Sequence, residues 1–127
     1  MKKIGFITTN KVLAQSLSSA MNARPELELK AFILSDSSQA LLDVEVLKID
    51  VAVLDVTSGV NTDASPTLSL CKKLRQAAPA CRLLLLLSQN DRAGKKTVVA
   101  AVHASIADDF VFYDTSLEYL FAKLSAF

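Results

Sequence analysis

No tryptophan, a single histidine, two cysteines and three glycines occur in the 127 residues of this chain. With His103 alone, neither a Ser/His/Asp triad nor a histidine-bearing zinc centre finds a second partner at a readable spacing. Cys71 and Cys81 match no metal or redox spacing, and they read as buried thiols. No nucleophile elbow and no glycine-rich phosphate loop is present, so catalysis on an external substrate is not expected. An excess of either charge is also missing. Fourteen basic and 13 acidic residues leave a net charge of +1, which gives no electrostatic footprint for nucleic acid or an anionic membrane. The five leucines Leu83 to Leu87 fall far short of the ~20 apolar residues of a membrane helix. The start, Met1-Lys2-Lys3 and a short apolar run, breaks at Thr8-Thr9-Asn10 without a cleavage site, so it is not read as a signal peptide. A soluble cytoplasmic protein is expected.

What is present is globular. Half the residues are hydrophobic (51%) and a fifth charged (21%), with no low-complexity tract, and the length suits one domain spanning residues 1–127. Apolar runs alternate with helical periodicity from end to end. Ile4 to Ile7 reads as a strand; Val12, Leu13, Leu17, Ala20 and Met21 follow helical spacing until Arg24-Pro25. Leu27 to Leu34 reads as a second strand, and Ser35-Asp36-Ser37-Ser38 offers caps for a helix to about Leu47. Ile49 to Leu54 forms a third strand. After a loop of small polar residues, Ser65-Pro66 opens a helix running to Ala78-Pro79. Arg82 to Leu87 is a fourth strand, and Asn90 or Asp91 starts a helix with Val98, Val99, Val102 and Ile106 on one face. Asp109 to Tyr113 is a fifth strand. Thr115 and Glu118 have capping-box spacing before a last helix whose apolar stripe is Leu117, Leu120, Phe121 and Leu124. Such alternation predicts a mostly parallel, doubly wound α/β sheet with helices on both faces and right-handed crossovers.

In that architecture the carboxyl ends of the strands gather on one side, where open α/β sheets place their chemistry. Thr8, Thr9 and Asn10, then Asp55, Val56 and Thr57, then Ser88 and Gln89, then Tyr113 and Asp114 fall there. Asp55 ends the wholly apolar run Val51-Ala52-Val53-Leu54, and an acid at that point can accept a phosphoryl group, hold a metal or cap a turn. Read alone, Thr8-Thr9-Asn10 is a helix cap, Phe110 is core, and Lys95 and Lys96 form a solvated helix face.

The whole chain resembles the CheY-like receiver domain of bacterial response regulators. The resemblance rests on Lys2-Lys3-Ile4 leading to Asn10, Ile49-Asp50-Val51 leading to Asp55, Gly59, Ser88, and Ala107-Asp108-Asp109-Phe110 leading into Ser116-Leu117-Glu118. It implies a flavodoxin-like sheet in strand order 2-1-3-4-5. Asp55 then matches the phosphoacceptor, Thr57 the residue whose carbonyl reaches the metal, and Ser88 and Phe110 the switch positions. The acid pair that binds Mg²⁺ falls on Thr8 and Thr9, and the phosphate-binding lysine falls on Tyr113, with Asp114 in place of proline. Mg²⁺ is usually held by one or two carboxylates plus waters, so with Asp55 alone its binding is expected to be weak or absent, and no other cofactor is expected. Tyr113 is expected to offer its hydroxyl to Asp55 in place of the lysine.

The leading expectation is therefore a pseudo-receiver of a two-component phosphorelay, acting through protein contacts with impaired Mg²⁺-dependent phosphorylation. The alternative is a receiver phosphorylated on Asp55. The resemblance implies protein partners (a histidine kinase, an effector domain or a second copy) at helix four, strand five and helix five, about Lys95 to Leu124, and a possible homodimer. A third reading is a flavodoxin-like ligand binder, with Thr8-Thr9-Asn10 taking a phosphate at a helix N-terminus. Against it, that loop lacks glycine, and the loops lack the aromatics that sandwich a flavin.

Overall fold

The computed structural model describes residues 1–8, 10–34, 39–56 and 65–127, with the side chains of residues 65 and 66 left out. Strands β1 (Lys2–Ile7), β2 (Leu29–Leu34), β3 (Val51–Asp55), β4 (Arg82–Leu87) and β5 (Asp109–Phe112) form one parallel sheet in the order β2-β1-β3-β4-β5. The helices α1 (Lys11–Asn22), α2 (Gln39–Leu47), α3 (Ser65–Ala77), α4 (Arg92–His103) and α5 (Leu117–Ala126) make the crossovers. This is the expected α/β architecture and strand order.

The strands are apolar along their length because both faces are covered. In the leucine run, Leu83, Leu85 and Leu87 enter a core beneath α2, α3 and α4, with Val44, Cys71, Leu74 and Val98. Leu84 and Leu86 point the other way, into a core with Leu17, Met21, Phe121 and Leu124 of α1 and α5. Gly5 sits in β1 where a Cβ would lie 3.0 Å from Leu34 and 3.2 Å from Ile49, so its lack of a side chain lets those two close over the strand.

Charges tie the amino edge of the sheet. Asp108 accepts from the Leu83 amide (2.7 Å) and pairs with Arg75 (2.7 Å) and Arg82 (3.3 Å), joining α3, β4 and β5. Burial pushes its carboxyl up, but these partners more than offset that and hold it below its ordinary value. The Lys2 ammonium donates to the carbonyls of Leu124 (3.1 Å), Ser125 (2.8 Å) and Phe127, supplying the cation that the end of α5 favours.

Several sequence boundaries are corrected. β2 starts at Leu29, not Leu27, because Pro25–Leu27 winds into a 3₁₀ turn and Glu28 takes a left-handed φ of 55°. β3 starts at Val51; Ile49 closes the end of α2 by donating to the Val44 carbonyl (3.1 Å), around Lys48 at φ 56°. α4 stops at His103, and Ile106 lies past a left-handed Ser105 (φ 60°), with its amide on the Ala101 carbonyl (2.8 Å), a helix-closing turn sealed by an apolar residue. Ser116, not Thr115, caps α5, accepting from the Tyr119 amide (3.0 Å), so the Thr115–Glu118 spacing is not a capping box. Val12 and Leu117 were assigned to apolar stripes, yet both are exposed: each opens its helix at the carboxyl edge, beyond the sheet surface that its later turns cover. The capping residues expected at 35–38 lie outside the described residues; α3 already includes Ser65 as its first residue.

Candidate functional site

β3 delivers Asp55 to the carboxyl edge, paired with Leu86 of β4, while Ile7 pairs with Leu54. The next residue of β1, Thr8, therefore lies beside Asp55, and its hydroxyl donates to Asp55 Oδ2 at 2.8 Å. The same Oγ1 accepts from the Asn10 amide (3.0 Å), and Asn10 Oδ1 accepts from the Leu13 amide (3.0 Å) at the start of α1. The Asn10 N–H polarises the Thr8 hydroxyl toward the carboxylate. A hydroxyl has one proton, and that of Thr8 is committed to Asp55. The cap expected over Thr8-Thr9-Asn10 is made by Asn10, with Thr8 supporting it; the amides of Asn10 and Leu13 are thus already engaged rather than open to a phosphate.

Asp55 is half-buried, and its Oδ1 is buried with no hydrogen-bond partner among the described residues. Burial pushes its carboxyl above the ordinary value, and the Thr8 bond pulls only part of the way back. The expected bond from Tyr113 is not made. Tyr113 lies one residue past β5, with its amide on the Leu87 carbonyl (3.0 Å) and its side chain 39% exposed. It lines a small hollow of about 140 Å³ with Ser88, Gln89, Asn90 and Asp114. Ser88 Oγ accepts from the Asn90 amide (3.3 Å), and the Ser88 carbonyl accepts from the Asp91 amide (3.1 Å), which leads into the Asp91 cap of α4. Thr9, Thr57 and Gly59 lie outside the described residues.

Mg²⁺ takes its ligands from hard oxygens, anionic ones foremost. Of the described residues at the ends of β1 and β3, Asp55 brings the carboxylate, its Oδ2 accepts the Thr8 proton, and Thr8 itself brings no charge. Among the described residues no three of His, Cys, Asp and Glu come together.

Phe110 pairs with Leu85 and Phe112 with Leu87, so both rings point to the α4 side of the sheet. They meet edge to face, with centroids 5.7 Å apart at 81°, and the Lys95 ammonium lies 5.7 Å from the Phe112 centroid. Phe112 was not evident as a partner of Phe110 from the sequence, although the period-two alternation of the strand places both on one face. Lys95 is exposed as expected, though it also covers a ring.

Beside these rings a groove of about 520 Å³ runs between β5 and α5, lined by Phe110, Phe112, Asp114, Tyr119 and Lys123 among others. Burial pulls the Lys123 ammonium down, but its ion pair with Asp109 more than offsets this and holds it above its ordinary value. On α4, Arg92, Lys95, Lys96 and His103 surround Val99 and Ala100 on one outward face. Cys71 and Cys81 are buried, and burial pushes their thiols up to about 12 and about 11, which makes them poor nucleophiles. No helix among the described residues is long and apolar enough to cross a membrane.

No protein-family model matches the chain, and no curated protein does. Solved structures do. A two-component response regulator from Clostridium difficile is 22% identical, with 99% of this chain and 94% of that one covered at a TM-score of 0.76. The receiver domain of a Francisella response regulator is 19% identical over 99% and 95%, at 0.75. One of a family of streptococcal redox sensors evolved from two-component response regulators is 20% identical over 99% of this chain and 50% of that one, at 0.75. At these identities the likeness is one of fold: the chain has the fold of response-regulator receiver domains.

Proposed function

We propose that this receiver-fold chain is a signal-transduction module of the two-component type, acting through protein contacts, with conventional Mg²⁺-dependent phosphorylation of Asp55 impaired. The observation that carries this reading is the Thr8 hydroxyl donating to Asp55 Oδ2 at 2.8 Å, where the family places an acid. Phosphoryl transfer needs cations to neutralise charge on the equatorial oxygens. A threonine at the acid position attracts no metal, and a tyrosine at the lysine position brings no charge of its own. In this reading Asp55 is the phosphoacceptor position without its machinery, and the chain has no enzymatic activity on other substrates.

The proposed contact face is α4, β5 and α5. Arg92, Lys95 and Lys96 are exposed on α4, while Asp114 and Glu118 are exposed at the start of α5. Opposite charges on adjoining elements make the face self-complementary across a two-fold axis, which suits a second copy as well as a kinase or effector in the cytoplasm. In the alternative, a receiver phosphorylated on Asp55, the reacting oxygen would be Oδ1, which has no hydrogen-bond partner among the described residues.

Incubation with acetyl phosphate and Mg²⁺, read by intact mass, separates the two. The pseudo-receiver reading expects no phosphoryl adduct on the natural chain, and a hydroxylamine-labile adduct once Thr8→Asp, Thr9→Asp and Tyr113→Lys are combined. An adduct on the natural chain that disappears in Asp55→Asn overturns it.

A further inference from the structure

We infer that the free edge of β2 is a self-association site, at which a second copy of this chain pairs antiparallel to extend the sheet. The Lys2 amide donates to the Glu28 carbonyl at 3.0 Å, so by the alternation of a strand the even-numbered residues of β2 face β1. The N–H and C=O groups of Leu29, Ala31 and Ile33 then face away, and none has a backbone partner among the described residues. What complements such a row is another strand.

The two edges of the sheet are treated differently. β5 is four residues long and begins with Asp109, ion-paired to Lys123, whereas β2 is six residues with no proline and Lys30 as its one charge. Ile33 on β2 is 48% exposed. α2 leaves Leu42 53% and Val46 70% exposed, two aliphatic residues four apart on one helix face. Short length and charge are how sheets blunt an edge, and β2 lacks both devices save at Lys30.

The strand's own sequence argues that the occupant is a second copy. With the two-fold axis through Ala31, Leu29, whose side chain is already buried in the core with Leu17 and Met21, lies opposite the exposed Ile33 of the second copy, and Ala31 lies opposite Ala31. Aliphatic side chains then lie opposite one another on one face of the joined sheet. On the other face Lys30 meets Phe32 of the second copy. The Lys30 ammonium already lies 5.3 Å from its own Phe32 centroid, so the cation is matched to a ring across the seam instead of to another cation. A two-fold normal to the sheet also puts both α2 helices, with their exposed Leu42 and Val46, on the same side of the joined sheet. A standard interface takes ~800 Å² per partner, and one strand edge offers little beyond its backbone groups, so a weak, concentration-dependent dimer is expected.

This site is separate from the α4-β5-α5 face, and one experiment distinguishes them. Sedimentation velocity is run at rising concentration on the natural chain, on Ile33→Lys, and on Lys95→Glu/Lys96→Glu, each first shown to be folded by circular dichroism. The expected result is a shift toward dimer that Ile33→Lys weakens at least about tenfold and the α4 variant leaves in place. In parallel, amide exchange on the natural chain is expected to slow at Leu29, Ala31 and Ile33 as concentration rises, a readout that needs no variant. A monomer up to about 1 mM, or a dimer lost in the α4 variant but kept in Ile33→Lys, overturns the inference. Exchange at the three amides that is independent of concentration overturns it too.

Discussion

Replacing Thr8 by valine keeps the side-chain volume and removes the one proton that Asp55 receives from a side chain among the described residues. A hydrogen bond to a charged group contributes about 1.5–3 kcal/mol, and Asp55 is half-buried, with its other oxygen unpartnered among the described residues. Thr8 Oγ1 also accepts from the Asn10 amide, an exposed bond of lesser value, so the single variant overstates the Thr8–Asp55 term. A double-mutant cycle with Asp55→Ala removes that contribution. The expected coupling is about 2 kcal/mol at pH 7, and Thr8→Val alone is expected to lower the midpoint of thermal unfolding by about 6–10 °C in a chain of this size. Urea unfolding followed by circular dichroism measures all four corners. Because the coupling draws on the carboxylate charge, it is expected to fall by about half once Asp55 is protonated, where only a neutral hydrogen bond is left. A coupling below about 0.5 kcal/mol at pH 7, no larger than an exposed pair gives, refutes the assignment of Thr8 as the partner of the site.

Three further outcomes follow from the same structure. Burial raises the Asp55 carboxyl in the fold, so its charge costs stability above the unfolded value of about 3.9, and the cost is relieved as pH falls. Asp55→Asn is therefore expected to be more stable than the natural chain at pH 7, with the gap closing below pH ~4; equal stability at pH 7 contradicts this. Asp108 behaves oppositely: its lowered carboxyl stabilises the fold above the unfolded value, and that contribution is lost as pH falls through the folded one. Asp108→Ala strands the buried Leu83 amide and is expected to cost about 2–4 kcal/mol, whereas Asp108→Asn keeps an acceptor and costs about 1 kcal/mol less; chemical denaturation reads both. Leu85→Ala, fully buried in the middle of β4, is expected to cost about 3–4 kcal/mol in the same assay.

Apolar runs and helical spacing made the layers of this fold legible, since a strand such as Val51–Asp55, buried on both faces, has to be apolar throughout. Periodicity did not reveal the turns that override it. Pro25 and Glu28 delay β2 through local backbone geometry, and Ser116 outcompetes Thr115 as a cap because only its oxygen reaches the Tyr119 amide. At the site, sequence placed Asp55 and Thr8 at neighbouring strand ends but left open how the hydroxyl is used. That choice depends on the β1–β3 register, which sets Ile7 against Leu54. Tyr113, expected to reach Asp55, instead ends outside β5 beside Ser88, because the strand closes at Phe112. Phe112 and its cover by Lys95 depend on how α4 lies against β5, which no local pattern records.

The central claim, that Asp55 keeps the position but not the chemistry of a phosphoacceptor, is tested most directly by amide NMR during titration with beryllofluoride and Mg²⁺. The expected spectra do not move at Asp55, Ser88 or α4. Saturable shifts at those three places, absent in Asp55→Asn, contradict it.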